Sequence, residues 1–277
     1  MVFYFWNGNC LLNFISLNIM KINKLLIVLL CLAINVSSQE RPVAFKGGEW
    51  LRYKMSYSGF LRAGTAVLEL KDEKLKNRNV IHATGRGWTT GMISWFFEVK
   101  DKYESYFTAD EVKPYLFKRD INEGGFKKKR NVSFNYENNT AYVQDFTKQK
   151  DSVISIKSPQ DMISTFYFLR SYDTQKMKKG EEINVDMFFD DKSYPFKLRF
   201  LGYETLKTKF GKVKTQKFRP LVQAGRVFKA QESVTVWITA DDNKVPIKMK
   251  ASLAVGSLRA ELEAYRGLAN PFEIIVD

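Results

Sequence analysis

The feature that most constrains this chain is alternation. In "VPIKMKASL" (245–253), Ile247, Met249, Ala251 and Leu253 fall on one side of an extended backbone, and Lys248, Lys250 and Ser252 on the other. "LRAEL" (258–262) repeats the pattern, with Leu258, Ala260 and Leu262 opposing Arg259 and Glu261. Comparable strand signals run over 49–59, 64–72, 95–107, three times within 115–146, then 151–156, 182–189, 194–204, 212–222, 233–239 and 245–255. The segment 258–266 reads as strand or helix, and His82 lies in a further alternating stretch. Gly59 with Gly64, Gly124-Gly125, Asn138-Asn139, Asp190-Asp191, Gly211 and "ADDN" (240–243) supply the turns. The reading is roughly a dozen strands with short connections, so neighbours pair antiparallel.

A sheet that is apolar on one face and charged on the other has two ways to exist outside the cytoplasm. An outer-membrane barrel would set residues such as Lys248 and Lys250 against lipid, at about 2–4 kcal/mol each near the midplane. Turning the charged face to water removes that cost. The predicted fold is therefore mainly β: a single large antiparallel, strongly curved sheet or incomplete β-barrel whose apolar concave face needs a cover.

One stretch breaks the alternation. "SPQDMISTFYFLR" (158–170) is helical in pattern, and a helix is predicted over about 159–171. Ser158 reads as the N-cap, Pro159 as the first helical residue and Asp161 as a first-turn acid facing the helix dipole. Met162, Ile163, Phe166 and Tyr167 form an apolar stripe, widened by Phe168 and Leu169 to most of the circumference. Such a helix is buried on more than one side. It is either an ordinary core helix filling the curved sheet or the lid of a ligand cavity; the two differ in whether space remains inside.

The N-terminal segment carries targeting information. Residues 1–19 hold no charge; from Met20, Lys21 and Lys24 precede an apolar run, 25–36, too short to span a bilayer. The expectation is an upstream extension followed by a signal peptide starting at Met20 and cleaved near Ser38–Gln39. Leu30 before Cys31 is not the small residue that lipidation would want. Cleavage there leaves 239 of the 277 residues, as one β-rich exported domain (39–277). It removes both cysteines, Cys10 and Cys31, and lowers the formal charge from +14 to +12 by Lys21 and Lys24. A chain without thiols has no disulfide, thiolate zinc site or iron–sulfur ligation to rely on, so burial must hold the fold. The positive charge reads either as an attraction to anionic lipid or glycan surfaces, rather than to DNA, or as plain solubility, and nucleic-acid motifs are absent.

Little in the sequence speaks for catalysis. His82 is the single histidine, and no G-x-S-x-G elbow accompanies it. The carboxylate pairs are Asp101 with Glu104, Asp190-Asp191 and Asp241-Asp242; the last two sit in turns, where Asp is expected for local hydrogen bonding. "FKKKR" (126–130), with Lys127, Lys128, Lys129 and Arg130, is a candidate contact for an anionic surface or a solvated strand edge. "GMISWFF" (91–97) is a strongly apolar run; Trp95 and Phe97 are candidates for a cavity mouth or a membrane contact, or for the core.

Three stretches carry a family resemblance. "GEWLRYKMSYSGFLRAGTAVLEL" (48–70), "SPQDMISTFYFLRSY" (158–172) and "VTVWITADDNKVPIKMKASLAVGSLRAELE" (234–263) resemble the domain-of-unknown-function 3108 family of exported bacterial proteins. The matching landmarks are Pro159, Gln160, Asp161, Trp237, Thr239, Asp241 and Pro246. The resemblance implies an envelope protein of Gram-negative type without an established activity. A half-open barrel with a helix is also similar in architecture to periplasmic lipoprotein carriers. The leading expectation is a non-catalytic periplasmic binding or carrier protein for a lipid or lipid-like ligand, with Met162, Ile163, Phe166, Tyr167, Trp95 and Phe97 as cavity or lid residues and no cofactor. An envelope assembly factor with a protein partner is the alternative, and a glycan hydrolase the third.

Overall fold

In a computed structural model, residues 43–276 are described except 60, 158, 222–229 and 231. The expected signal peptide, its cleavage point and Ser158 therefore lie outside the described residues. Among the described residues, fourteen strands form one antiparallel sheet. Eight of them make an N-terminal meander: β1 (Trp50–Tyr57), β2 (Leu61–Leu75), β3 (Arg78–Thr89), β4 (Val99–Phe107), β5 (Pro114–Glu123), β6 (Phe126–Asn135), β7 (Thr140–Asp145) and β8 (Lys150–Ser155). Six make a C-terminal meander: β9 (Glu182–Phe189), β10 (Lys192–Thr208), β11 (Gly211–Leu221), β12 (Val234–Thr239), β13 (Pro246–Ser252) and β14 (Ser257–Arg266). Pairing of β1 with β14 joins the two meanders, so β8 and β9 are the open edges.

Local chemistry explains the hairpins. Lys76-Asn77, Gly124-Gly125 and Asp190-Asp191 all have positive φ at both central positions, the geometry of two-residue turns that match strand twist. Gly64 is not a turn residue, as the sequence suggested, but lies inside β2. A Cβ there would come within 2.4 Å of the Trp88 carbonyl oxygen on β3, so only glycine lets the two backbones approach. The predicted strand 95–107 divides into a short helix, α1 (Ile93–Phe96), and β4. The ambiguous 258–266 segment is strand β14.

The alternation is honoured in space. On β13, Ile247 and Ala251 are buried, while Lys248 on the other face pairs with Glu261 of β14. Arg52 of β1 likewise pairs with Glu263 of β14. These exposed pairs contribute little individually; they keep the charged face in water.

The sheet curls around helix α2 (Met162–Ser171), which sits between β8 and β9 in the chain and packs on β3, β4 and the β9 edge. Its lead-in replaces part of the missing seam: Gln160 N donates to Asp186 O at 2.8 Å and Phe188 N to Gln160 O at 2.7 Å, a parallel bridge on the β9 edge. The helix begins later than the sequence suggested. Asp161, not Ser158, is the N-cap: its Oδ1 accepts from Ile163 N and Ser164 N, each at 2.8 Å, and Asp161 N donates back to Ser164 Oγ. Pro159 precedes the helix. Ser105 Oγ on β4 donates to Asp161 Oδ2 at 2.6 Å, which fixes the cap to the sheet.

Three apolar clusters of described residues fill the interior. One joins β2–β8 to Ile163 and Tyr167. A second lies under β1, β13 and β14 with Phe272 of the C-terminal tail. A third lines β9–β11 with Phe168 and Leu169. At the far end of α2, Arg170 ties the helix to Glu49, to the Ala44 carbonyl and to the Asn243 carbonyl.

Candidate functional site

Helix α2 divides the space inside the sheet. Ile163 and Tyr167, one turn apart, point into the N-terminal half, where Tyr167 is fully buried against Phe45, Phe107 and Phe166. Met162, Thr165, Phe166 and Leu169 follow at helical spacing and face a cavity of about 470 Å³, partly open to solvent. The opposite wall is the inner face of the C-terminal meander with β1 and β2: Tyr53, Met55, Ala66 and Leu68, then Ile183, Met187, Phe196, Leu198, Phe218, Pro220, Val236, Ile238, Pro246, Met249 and Ala260. That wall is nearly all apolar because every contributing strand presents its buried alternate positions there. The volume is within the range of small-molecule sites.

Four side chains with polar groups reach this lining: Tyr53, Thr165, Arg170 and Thr174. Thr165 Oγ1 donates to the Asp161 carbonyl and Thr174 Oγ1 to Gln216 Oε1, so both are engaged. Arg170 is committed to Glu49. The Tyr53 hydroxyl is different: it is buried without a hydrogen-bond partner among the described residues. Burial drives its pKa well above the ordinary phenol range, with Glu49 adding to the shift and Arg170 opposing it, so it is a neutral donor at any physiological pH.

The six residues expected to form cavity or lid are thus divided. Met162 and Phe166 line the cavity, while Ile163 and Tyr167 pack on the other side of the helix. Trp95 and Phe97 are not at the cavity; they stand exposed on and beside α1, because the apolar run 91–97 forms a connection at one end of the sheet instead of a strand. Tyr53, Met249 and the β9–β12 wall were not singled out from sequence as cavity residues. Their signal was the alternation itself, which marks inward residues without distinguishing packed ones from those facing a void.

The basic run is also divided by alternation. Lys127 is exposed, and Lys129 sits outside near Asp120 at 3.4 Å. Lys128 and Arg130 face inward and are not available to an external surface. Lys128 Nζ and Arg119 Nη1 both bond Asp190 Oδ1, at 2.5 and 2.7 Å. Arg130 bonds Asp145 at 2.6 Å and both Asp191 oxygens at 3.0 and 3.2 Å. The tip of the β9–β10 hairpin is therefore clasped to β5 and β6, with Asp145 of β7 bracing Arg130. Arg119 also stacks on Phe189, 4.6 Å from the ring centre.

The carboxylates noted in the sequence do not form a pair across a cleft among the described residues. Three apart on β4, Asp101 and Glu104 project to opposite faces. Asp101 lies beside Glu123 instead; burial chiefly, then that carboxyl, pushes its pKa up to about 6, while the Asn122 amide opposes. Glu104 is engaged with His82 Nε2 at 3.0 Å and Lys102 at 2.9 Å. Although burial opposes it, Lys102, Lys118 and His82 hold Glu104 below the ordinary range. His82 Nδ1 is 2.7 Å from Glu73, and its ring stacks on Tyr106. Asp241 serves its own turn, accepting from Thr239 Oγ1, Asn243 N and Lys244 N. Among the described residues no group of three or more His, Cys, Asp or Glu is placed to hold a metal, and no helix is long and apolar enough to cross a membrane.

No curated protein matches this chain in sequence. Among solved structures, the fold is similar to a β-barrel-like protein of the domain of unknown function DUF1849 from Brucella abortus, with a TM-score of 0.54 and 11% identity over 81% of this chain and 99% of that one. A protein from Bacteroides fragilis described as exported, with a YmcC-like fold, overlays with a TM-score of 0.34 and 9% identity over 80% of this chain and 97% of that one, too loosely to bear on the argument. The first likeness concerns the fold alone. The family described as "Protein of unknown function (DUF3108)" matches residues 52–263, from β1 through to β14, and the chain belongs to that family.

Proposed function

We propose that this is an exported, non-catalytic binding or carrier protein of the Gram-negative periplasm that takes a lipid or lipid-like ligand between α2 and the C-terminal meander. The observation that carries the reading is the cavity of about 470 Å³ beneath Met162, Phe166 and Leu169. A partly open apolar cavity of that size leaves side chains facing water, and a guest with an apolar body would cover them. The Tyr53 ring lines this cavity and its buried hydroxyl has no partner among the described residues, so a guest that reached it would find a donor. The expected N-terminal signal supports export.

The test is saturable binding of an uncharged fluorescent probe, N-phenyl-1-naphthylamine, displaced by long-chain lipids. Ala66→Phe and Ala260→Phe place bulk on the cavity wall and are expected to weaken binding about tenfold or more. Unsaturable binding, or binding indifferent to both substitutions, overturns the reading.

A further inference from the structure

The exposed aromatic end of the sheet is a separate feature, and it does not rest on the cavity reading. Helix α1 joins β3 to β4, and the Gly124-Gly125 turn joins β5 to β6 beside it. Gly124 N donates to Glu98 O at 2.8 Å, and the Phe97 ring covers Gly124 so closely that a Cβ there would lie 2.3 Å from it. The two connections thus form one tip. Trp95 and Phe96 at that tip are 82% and 85% exposed; Met92, Phe97 and Phe126 are also exposed around it. Large aromatics held this far into water mark an interaction surface.

Strand register says what surrounds them. Directly opposed residues in an antiparallel sheet share a face. Trp88, Lys100, Asn122 and Lys127 form one row across β3–β6, and Arg86, Lys102, Asp120 and Lys129 form the next row back. Lys102 shares this face with Glu104, whereas Ser105 on the opposite face meets the helix cap, so both rows lie on the outside of the sheet. Five basic residues stand immediately behind the aromatic tip; Lys100 pairs with Glu98, Lys102 with Glu104, Lys129 with Asp120 and Arg86 with Glu69, so these cations lie among exposed acids and meet a bilayer by exchanging those partners for headgroups.

We propose that this tip docks the protein on an anionic lipid bilayer, with Trp95 and Phe96 entering the interface and Lys100, Lys127 and Lys129 meeting the headgroups. The arrangement suits that occupant on two grounds. Tryptophan and phenylalanine settle at the boundary between headgroup and acyl chain. Lysines within a Debye length of an anionic surface are attracted to it, each worth about fivefold in partitioning.

The experiment compares the full chain with its Trp95→Phe variant on phosphatidylcholine vesicles, with and without phosphatidylglycerol, carrying bromine on the acyl chains near the headgroup. Trp95 is exposed, so the variant is expected to keep its fold and its probe-binding cavity. Tryptophan quenching is expected to be greater in the parent than in the variant, only on anionic vesicles and less so at high salt. Lys100→Glu/Lys127→Glu/Lys129→Glu is expected to lower partitioning at least about tenfold. Equal quenching in parent and variant overturns the proposal. So does a Trp95- and Phe96-dependent dimer that leaves the tip unquenched, which would assign the patch to a second copy of the chain. Because probe binding is read separately, failure of tip docking and failure of the cavity are distinguishable.

Discussion

Arg170 grips Glu49 with both arms of its guanidinium, Nη1 at 2.6 Å from Oε1 and Nη2 at 2.7 Å from Oε2, and only 2% and 1% of the two residues remain exposed. The partners are far apart in sequence, so this pair holds the segment before β1 to the end of the cavity helix. Two desolvated charges gain little net stability from each other, but removing one strands the other. Glu49→Gln is expected to cost about 3–5 kcal/mol in urea unfolding. Arg170→Lys cannot reproduce the fork that also reaches the Ala44 and Asn243 carbonyls and is expected to destabilise as well. The double replacement Glu49→Gln/Arg170→Met is expected to recover much of the loss; a double variant as unstable as the sum of its parts would contradict this account.

At the other end of the helix the burden is pH-dependent. Burial pushes Asp161 up to about 6 against the pull of Ser105 and the Ser164 and Ile163 amides. An unfolded Asp titrates near 3.9. Across that window the folded chain holds a proton that the unfolded chain has lost. The Asp161 contribution to stability therefore falls as pH rises from about 4 to about 6, by about 3 kcal/mol in all. Asp161→Asn keeps an acceptor for the helix amides. The parent's stability relative to this variant is expected to drop across the window, read as denaturation midpoints at each pH. Asp101 has a raised pKa of its own, to about 6, so Asp101→Asn is the control that isolates its share.

The clasp on the β9–β10 hairpin bears on access to the cavity, since Met187, Phe196 and Leu198 of that hairpin line it. Asp190 and Asp191 are partly exposed, so Asp190→Asn/Asp191→Asn is expected to cost only about 1–2 kcal/mol. The local effect should be larger than the global one: amide exchange at Met187–Phe189 is expected to quicken while β2 and β3 stay protected. Arg130→Ala leaves the buried Asp145 carboxylate without its guanidinium, with an expected cost of about 3–5 kcal/mol.

These relationships show what sequence could and could not supply. Strand positions and hairpin turns were legible because period-two burial and turn residues are local. The cap was misplaced: Ser158-Pro159 reads locally as a helix start with Asp161 in the first turn, whereas Asp161 itself caps the helix. Tertiary contacts, Ser105 and the Gln160 bridge, set that start. The basic run could have been parsed by its own alternation, with Lys127 and Lys129 out and Lys128 and Arg130 in. The Arg170–Glu49 pair and the void beneath Phe166 depend on how distant strands curl, and no local pattern encodes either.

Tyr53 is where stability and binding should separate. A buried hydroxyl without a partner costs free energy, so removing it from the empty protein is expected to be neutral or stabilising by about 1 kcal/mol. A guest that offers Tyr53 an oxygen reverses that sign. A site built to hydrogen-bond a ligand oxygen discriminates against analogues that lack it. The parent is therefore expected to bind dodecanol more tightly than dodecane by about tenfold or more, measured by probe displacement. Tyr53→Phe is expected to bind the two alike while unfolding no more easily than the parent. If Tyr53→Phe lost stability and left the preference intact, the hydroxyl would have an unrecognised partner within the protein, and the polar end of the ligand would have to be sought elsewhere on the cavity wall.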